Sequence, residues 1–349
     1  MYRLLRPLLF RLDAEAAHHV GIWGLSLAAL APRLAKAMRG TERTALKTHV
    51  AGLSFPNPVG LAAGLDKNAE AIVGLFSVGF GSIEVGTVTP RPQPGNPKPR
   101  IFRLPEHQAL INRLGFNNEG MVAMGTRLSA SSWRPGPVGV NIGKNTDTPL
   151  QSAVDDYVAC AEALSPQADY VAVNLSSPNT PGLRQLQEPD ALAALLKAVR
   201  AKVVGRPLFL KIAPDLTDEA IDAVVDVARD CGTDGLICTN TTIERAVQHP
   251  LAAEAGGLSG KPLFARSTEV VRRAFRRSGG ALPIIGVGGI VDGEDAWKKV
   301  CAGASLVQVY SGFIYRGPTL VTEILDTLET KLGELKLDSI AKAVGRDAG

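Results

Sequence analysis

The chain has 349 residues, 45% of them hydrophobic and 21% charged. That composition excludes wholesale disorder and collagen-like repeats, and the length is ample for a large buried core. The formal net charge is +4, and residues 1–45 carry all of it, so the body is balanced and is a poor candidate for binding nucleic acid.

In chain order, residues 2–12 (YRLLRPLLFRL) form a short basic amphipathic pattern. Residues 18–32 (HHVGIWGLSLAALAP) contain no Lys, Arg, Asp or Glu, but this run is shorter than the ~20 apolar residues of a spanning helix. Acidic residues at 13 and 15, and the lack of a small-residue cleavage site, argue against a signal or transit peptide. Two readings stand. One is a helical pair capping the floor of the body that follows. The other, which we prefer, is a helical arm in a bilayer interface, with Leu4, Leu5, Leu8, Leu9, Phe10, Ile22, Trp23 and Leu27 facing lipid and arginines at the headgroups. It explains why so much apolar surface lies beside the only charge excess.

From about residue 50, short apolar runs alternate with helix-like stretches. The runs are 59–66, 80–89, 136–144, 169–176, 207–214, 235–242, 283–290 and 305–312. Each is β-rich and ends in polar residues or Gly, as buried parallel strands do. Helices are predicted over 68–78, 154–164, 191–204, 218–232, 293–304 and 319–335, with Asp218 and Asp292 as caps. Eight such units predict an α/β fold, a TIM (β/α)8 barrel over residues 46–349 with residues 1–45 as a helical extension. Two insertions interrupt it. Residues 90–118 predict a hairpin and loop over the barrel top, and residues 177–190 a lid.

Functional residues of such a barrel collect at the C-terminal strand ends. There stand Lys67, Thr87, Asn141, Asn174, Lys211, Thr239 and Asn240. GVGGI (286–290) and VYSG (309–312) offer small residues where backbone N–H groups can approach a phosphate. GGLSG (256–260) adds a Gly-rich loop without the spacing of a nucleotide P-loop. Lysines in a barrel mouth fit either a Schiff base or the balancing of negative charge on a cofactor. Asn112, Asn174, Asn179 and Asn240 suit a flat heterocycle with alternating C=O and N–H groups. Cys160, Cys231, Cys238 and Cys301 make no CxxC pair, and the adjacent His18 and His19 suit no helical metal pair, so neither disulfides nor a metal are expected.

The string NLSSPNTPG (174–182) is the sharpest feature, and it resembles the dihydroorotate dehydrogenases. GLAAGLDKN (60–68), EVGTVTPRPQPGNPKPR (84–100), NRLGFNN (112–118), LKIAPD (210–215), TNTT (239–242), GGLSG, GVGGI and VYSG resemble that family in its order. The resemblance covers residues 45–335. It implies an FMN-dependent oxidation of dihydroorotate to orotate in pyrimidine synthesis. Ser177 stands where the family's membrane-associated, quinone-linked class has its base, and the soluble class has Cys there. The N-terminal extension marks the same class.

The resemblance further implies that the FMN phosphate lies on Gly260, Gly289, Tyr310 and Ser311. Ala62, Ala63, Gly64, Lys67, Thr87, Asn141, Asn174, Lys211 and Thr239 would line the remainder of the flavin, with Lys211 at its pyrimidine edge. Lys67 would attract the dihydroorotate carboxylate. Asn112, Asn174, Asn179, Asn240 and Thr241 would read its ring amides, and Arg113, Leu114, Gly115 and Phe116 would help close the pocket. Ser177 would remove the C5 proton. Residues 1–45 would give access to a membrane quinone, and we expect a peripheral protein on the cytoplasmic side of a bacterial inner membrane. Three rivals are weaker. An RNA-modifying FMN barrel would need a basic body; a lysine aldolase would bind no flavin; a non-enzymatic membrane barrel leaves the lysine and asparagine set unexplained.

Overall fold

The computed structural model describes residues 2–131 and 133–349. Eight parallel strands close into a barrel in sequence order: β3 (Val59–Leu61), β4 (Ser82–Val88), β7 (Val138–Ile142), β8 (Tyr170–Asn174), β9 (Leu208–Ile212), β10 (Gly235–Cys238), β12 (Ile284–Val287) and β13 (Leu306–Val309), which pairs back with β3. These fall inside the eight apolar runs. Helices α4 (Ile72–Ser77), α5 (Gly120–Ala130), α6 (Ala153–Leu164), α7 (Pro189–Arg200), α8 (Asp218–Asp230), α9 (Phe264–Ser278), α10 (Gly293–Cys301), α11 (Ser311–Arg316) and α12 (Thr319–Glu334) surround them. Asp292 caps α10, its carboxylate accepting from the Asp295 N–H. Asp218 does not cap α8. Thr217 does, its hydroxyl accepting from the Ala220 N–H, and Asp218 is the first helical residue.

Strand alternation sorts the barrel interior by height. A short hairpin, β1 (Thr48–Val50) with β2 (Leu53–Phe55), plugs the floor, where Val50 and Phe55 pack with Phe209, Tyr170 and Ile285. The Tyr170 ring crosses the interior because Gly139 faces it; a Cβ there would lie 2.0 Å from the ring. Above it the inward positions turn polar, with Glu84, Asn141, Lys211 and Gln308 all buried.

The first insertion is a hairpin, as expected: β5 (Ile101–Leu104) pairs with β6 (Ala109–Asn112). The GGLSG segment is not a loop. It forms β11 (Gly257–Gly260), the third strand of that sheet, paired with β6. The second insertion is a set of turns ending in a 3-10 helix at Leu183–Gln187.

The N-terminal helices are α1 (Tyr2–Leu9), α2 (Ala14–Ser26) and α3 (Pro32–Met38). They pack on α4, α11 and β5, with α1 and α2 on the mouth side and Arg39 reaching the turn between α4 and β4. Of the residues read as lipid-facing, Leu4, Leu5, Leu8, Trp23 and Leu27 are exposed. Three of them are not. Ile22 is 8% exposed and belongs to the barrel's core cluster. Leu9 and Phe10 are half-buried, with Phe10 edge-on to Tyr315 at 5.5 Å and under the Arg103 guanidinium at 4.8 Å. The arm is pinned at both ends. Tyr2 donates to the Ile314 carbonyl, and Arg39 donates to the carbonyls of Phe76 and Phe80 at 3.0 and 2.9 Å. No helix among the described residues is long and apolar enough to cross a membrane.

Candidate active site

One cleft of about 980 Å³, including its open mouth, lies at the C-terminal ends of the barrel strands. The loop after β3 supplies Ala62, Ala63, Gly64 and Lys67 to it. Thr87, Asn174, Lys211 and Thr239 reach it from the ends of β4, β8, β9 and β10. Asn112, Leu114, Gly115 and Phe116 reach it from the hairpin side, and Ser177, Asn179, Asn240 and Thr241 from the loops after β8 and β10. Gly260, Gly289, Tyr310 and Ser311 complete the far wall.

Two predicted residues do not line it. Asn141 sits one layer below and reaches the cleft through Thr87 and Asn174, whose Oγ1 and Nδ2 donate to its Oδ1 at 2.6 and 3.1 Å. Arg113 turns away. Its guanidinium stacks on Phe102 at 4.6 Å and pairs with Glu254 at 2.7 Å. It holds the hairpin to the segment before β11.

The polar floor of the cleft is a continuous network. Glu84, fully buried, accepts from Asn141 Nδ2 at 2.8 Å, Gln308 Nε2 at 2.9 Å and Tyr170 Oη at 3.1 Å. Lys211 Nζ lies 3.8 Å from the same carboxylate. Burial pushes the Lys211 pKa down, and Glu84 opposes this by charge and hydrogen bond. A buried ammonium needs such a counter-charge. Higher up, Asn240 Nδ2 donates to Ser176 Oγ at 3.0 Å and Asn174 Oδ1 at 3.3 Å, and Asn179 Nδ2 to Asn112 Oδ1 at 3.3 Å. The four asparagines predicted from sequence thus meet in two pairs, Asn240 with Asn174 and Asn179 with Asn112, and all four line the cleft. Among the described residues Gln308 Oε1, buried beside the cleft, has no hydrogen-bond partner.

Ser177 is buried, and its Oγ accepts the Asn179 N–H at 3.2 Å. Among the described residues no carboxylate or imidazole hydrogen-bonds it. Arg184 braces its loop: Nε donates to the Ser176 carbonyl at 3.1 Å, Nη2 to the Thr241 carbonyl at 3.1 Å, and Nη1 to Asp215 at 2.7 Å.

Lys67 Nζ donates to the Gly64 carbonyl at 2.7 Å. Its pKa is pushed down to about 8, chiefly by desolvation; Glu15 on the arm pulls it up, and Arg100 pushes it further down. Glu15 itself is held in a two-bonded pair with Arg100, at 2.6 and 3.1 Å. His18, on the same helix, is pushed down to about 3 by burial and then by the charge of Lys67, so it is neutral at working pH even though part of the residue reaches the surface. The arm therefore contributes to the electrostatics of the mouth.

Sequence reasoning missed Glu84, Gln308, Arg184 and the Glu15–Arg100 pair. Glu84 had a signal: it is the lone charged residue in its strand.

A family model described as "Dihydroorotate dehydrogenase" matches residues 45–332. A curated "Dihydroorotate dehydrogenase (quinone)" of Myxococcus xanthus (strain DK1622) is 57% identical, over 99% of this chain and 98% of that protein. The protein of the same name from Anaeromyxobacter dehalogenans (strain 2CP-C) is 52% identical, over 99% and 97%. Among solved structures, DHODH of Eimeria tenella in complex with ferulenol superposes with a TM-score of 0.89 at 41% identity, covering 96% of each chain. The ligand-free form from the same organism gives 0.85, also at 41% identity, over 91% of this chain and 98% of that one.

Proposed function

The chain belongs to the dihydroorotate dehydrogenase family, and from that premise we propose that its barrel mouth holds FMN, with Ser177 as the base and residues 1–45 as the quinone-access arm. The activity is oxidation of dihydroorotate with a quinone as electron acceptor, a step of pyrimidine biosynthesis. The observation that carries the site reading is convergence. Two buried-side ammoniums, an asparagine array and a glycine-lined wall meet in a single cleft.

The residues present fit FMN. Gly260, Gly288 and Gly289 all have positive φ, and a Cβ at any of them would lie 2.9 Å or less from a neighbour, so backbone forms that wall. Ser311 Oγ is held 2.8 Å from Ser259 Oγ at the same end. At the opposite end Lys211 and the orphaned Gln308 carbonyl oxygen suit a polar ring edge. When bound, FMN supplies a hydride acceptor.

The protein's own groups then have distinct tasks. Lys67 attracts the substrate carboxylate. Asn112, Asn174, Asn179 and Asn240 read the ring amides, and a buried polar array of this kind rejects analogues that leave it unpaired. Ser177 takes the C5 proton. An isolated hydroxyl is a weak base near neutral pH. To act as the base Ser177 must pass on its own hydroxyl proton as it takes the one from C5; the Asn179 N–H at its oxygen favours the deprotonated form, and the braced loop limits access of bulk solvent. We place the protein peripherally on the cytoplasmic face of a membrane, held by the exposed leucines and Trp23.

An anaerobic visible spectrum of the purified protein, before and after dihydroorotate, tests this. A flavin band near roughly 450 nm that bleaches is expected. A band that persists would discard the substrate, and no band even after added FMN would discard the cofactor.

A further inference from the structure

Among the described residues Lys299 is the largest charged side chain that is fully buried, and the reaction does not use it. It lies on α10, outside the cleft, and is fully buried. Its Nζ donates to Ser267 Oγ at 2.6 Å and to the Gly288 carbonyl at 3.1 Å, and stands 4.7 Å from the centre of the Phe264 ring. Among the described residues no carboxylate lies within 4.0 Å of it. Asp295, one turn earlier on α10, is bonded by Lys261 at 2.8 and 2.9 Å. An ammonium with only neutral partners is costly to bury, so the site must either give up the proton or gain an anion close by.

The partner it holds is informative. The Gly288 carbonyl also accepts from Ser267 Oγ at 2.9 Å. The Gly288–Gly289 peptide is trans, so its N–H points opposite to its C=O. Lys299 and Ser267 grip the carbonyl from behind, which turns the Gly289 N–H away from them. That N–H has no partner among the described residues, and both glycines line the cleft. Neither glycine can be replaced without collision. A Cβ on Gly288 would lie 2.9 Å from Ser267, and one on Gly289 2.5 Å from Phe264.

We propose that Lys299 is the positioning residue and buried counter-charge of the flavin phosphate, acting through the Gly288–Gly289 peptide whose N–H it aims at the anion. The proposal rests on the FMN reading above. A consequence follows for protons. Burial pushes Lys299 down to about 7, while Asp295 on its own helix and Cys238 on β10 pull it upward. Lys261 is the remaining charged group nearby, facing the same Phe264 ring from the loop before α9 at 5.2 Å. A phosphate monoester is a dianion above its second pKa of about 6. As the pH rises past about 7 the empty loop therefore loses its ammonium, and binding the dianion takes up a proton.

The test uses the purified holoenzyme, diluted to equilibrium between pH 7 and pH 9, with released FMN read by its fluorescence. For the native protein the FMN Kd rises towards about tenfold per pH unit across that window. Lys299→Met, close in volume, weakens FMN by about tenfold or more at pH 7 and flattens the profile. Ser267→Ala weakens FMN severalfold and keeps the slope. A flat native profile, a slope that survives Lys299→Met, or unchanged affinity in Ser267→Ala would each overturn the proposal. Should Lys299→Met fail to give a cooperative thermal melt, the native profile and Ser267→Ala still decide. Native protein that binds no flavin at pH 7 contradicts the FMN reading instead, a distinguishable result.

Discussion

The barrel mouth and the N-terminal arm break the usual rule of burial in opposite directions. In the mouth, carboxylate, ammonium and amide groups are buried and bonded to one another, as Glu84 is to Asn141, Gln308 and Tyr170. On the arm, Leu4, Leu8, Trp23 and Leu27 stand in the open. Both departures run against what folding alone would select, and such departures mark function. The mouth is rigid and chemical. The arm is a surface, fastened to that rigid part through Tyr2, the Glu15–Arg100 pair and Arg39.

Four measurements break or sharpen this contrast. The largest effect is expected at the mouth: Ser177→Ala slows flavin reduction by dihydroorotate by about 10²–10⁴-fold in stopped-flow, with the flavin still bound. Near-normal reduction removes Ser177 as the base. Next, Glu84→Ala takes the acceptor from three donors and the counter-charge from Lys211, and destabilises the fold by about 3–5 kcal/mol in chemical denaturation. A change well below 1 kcal/mol would show that the network is not a structural unit.

The third acts on the arm. Removing residues 1–38, which spares the bonds from Arg39 to α4 and its flank, lowers quinone turnover in membranes by about tenfold or more by loss of local concentration, and leaves flavin reduction at saturating dihydroorotate nearly unchanged near pH 7, the loss of Glu15 acting on the KM instead. Equal loss of both rates would abolish the division of labour. The smallest effect links the two regions. The Lys67 ammonium is depleted as pH rises past about 8, so the KM for dihydroorotate rises above that pH and is flat below it. Glu15 raises that pKa, so Glu15→Gln moves the break to lower pH. A KM indifferent to pH between 7 and 9 removes Lys67 from carboxylate binding.

Most of the architecture was legible in the sequence because buried parallel strands print nearly unbroken apolar runs, and eight of them in alternation with helices admit few folds. The motifs at the strand ends were legible because they are contiguous. What stayed hidden depends on closure of the barrel. Glu84, Lys211 and Gln308 belong to different strands, and only the closed ring makes their side chains neighbours. Lys299 reads as an ordinary helical lysine until α10 is packed on β12 and α9. Ile22 looked like its lipid-facing neighbours because an amphipathic helix with two apolar sides gives no sign of which one the protein covers; the structure buries Ile22 and leaves Trp23 65% exposed. Asp218 and Thr217 are both good capping types, and one residue's offset decided between them.

The plugged floor has a consequence for residence time. Val50 and Phe55 close the barrel beneath Tyr170 and Phe209, so nothing travels along its axis. What enters the cleft then leaves on the mouth side, where the loops after β8 and β10, the hairpin and the arm lie. Retention and robustness are then governed by different parts of the chain. Repacking the floor alters how hard the vessel is to unfold; loosening the mouth side alters how long it keeps its contents.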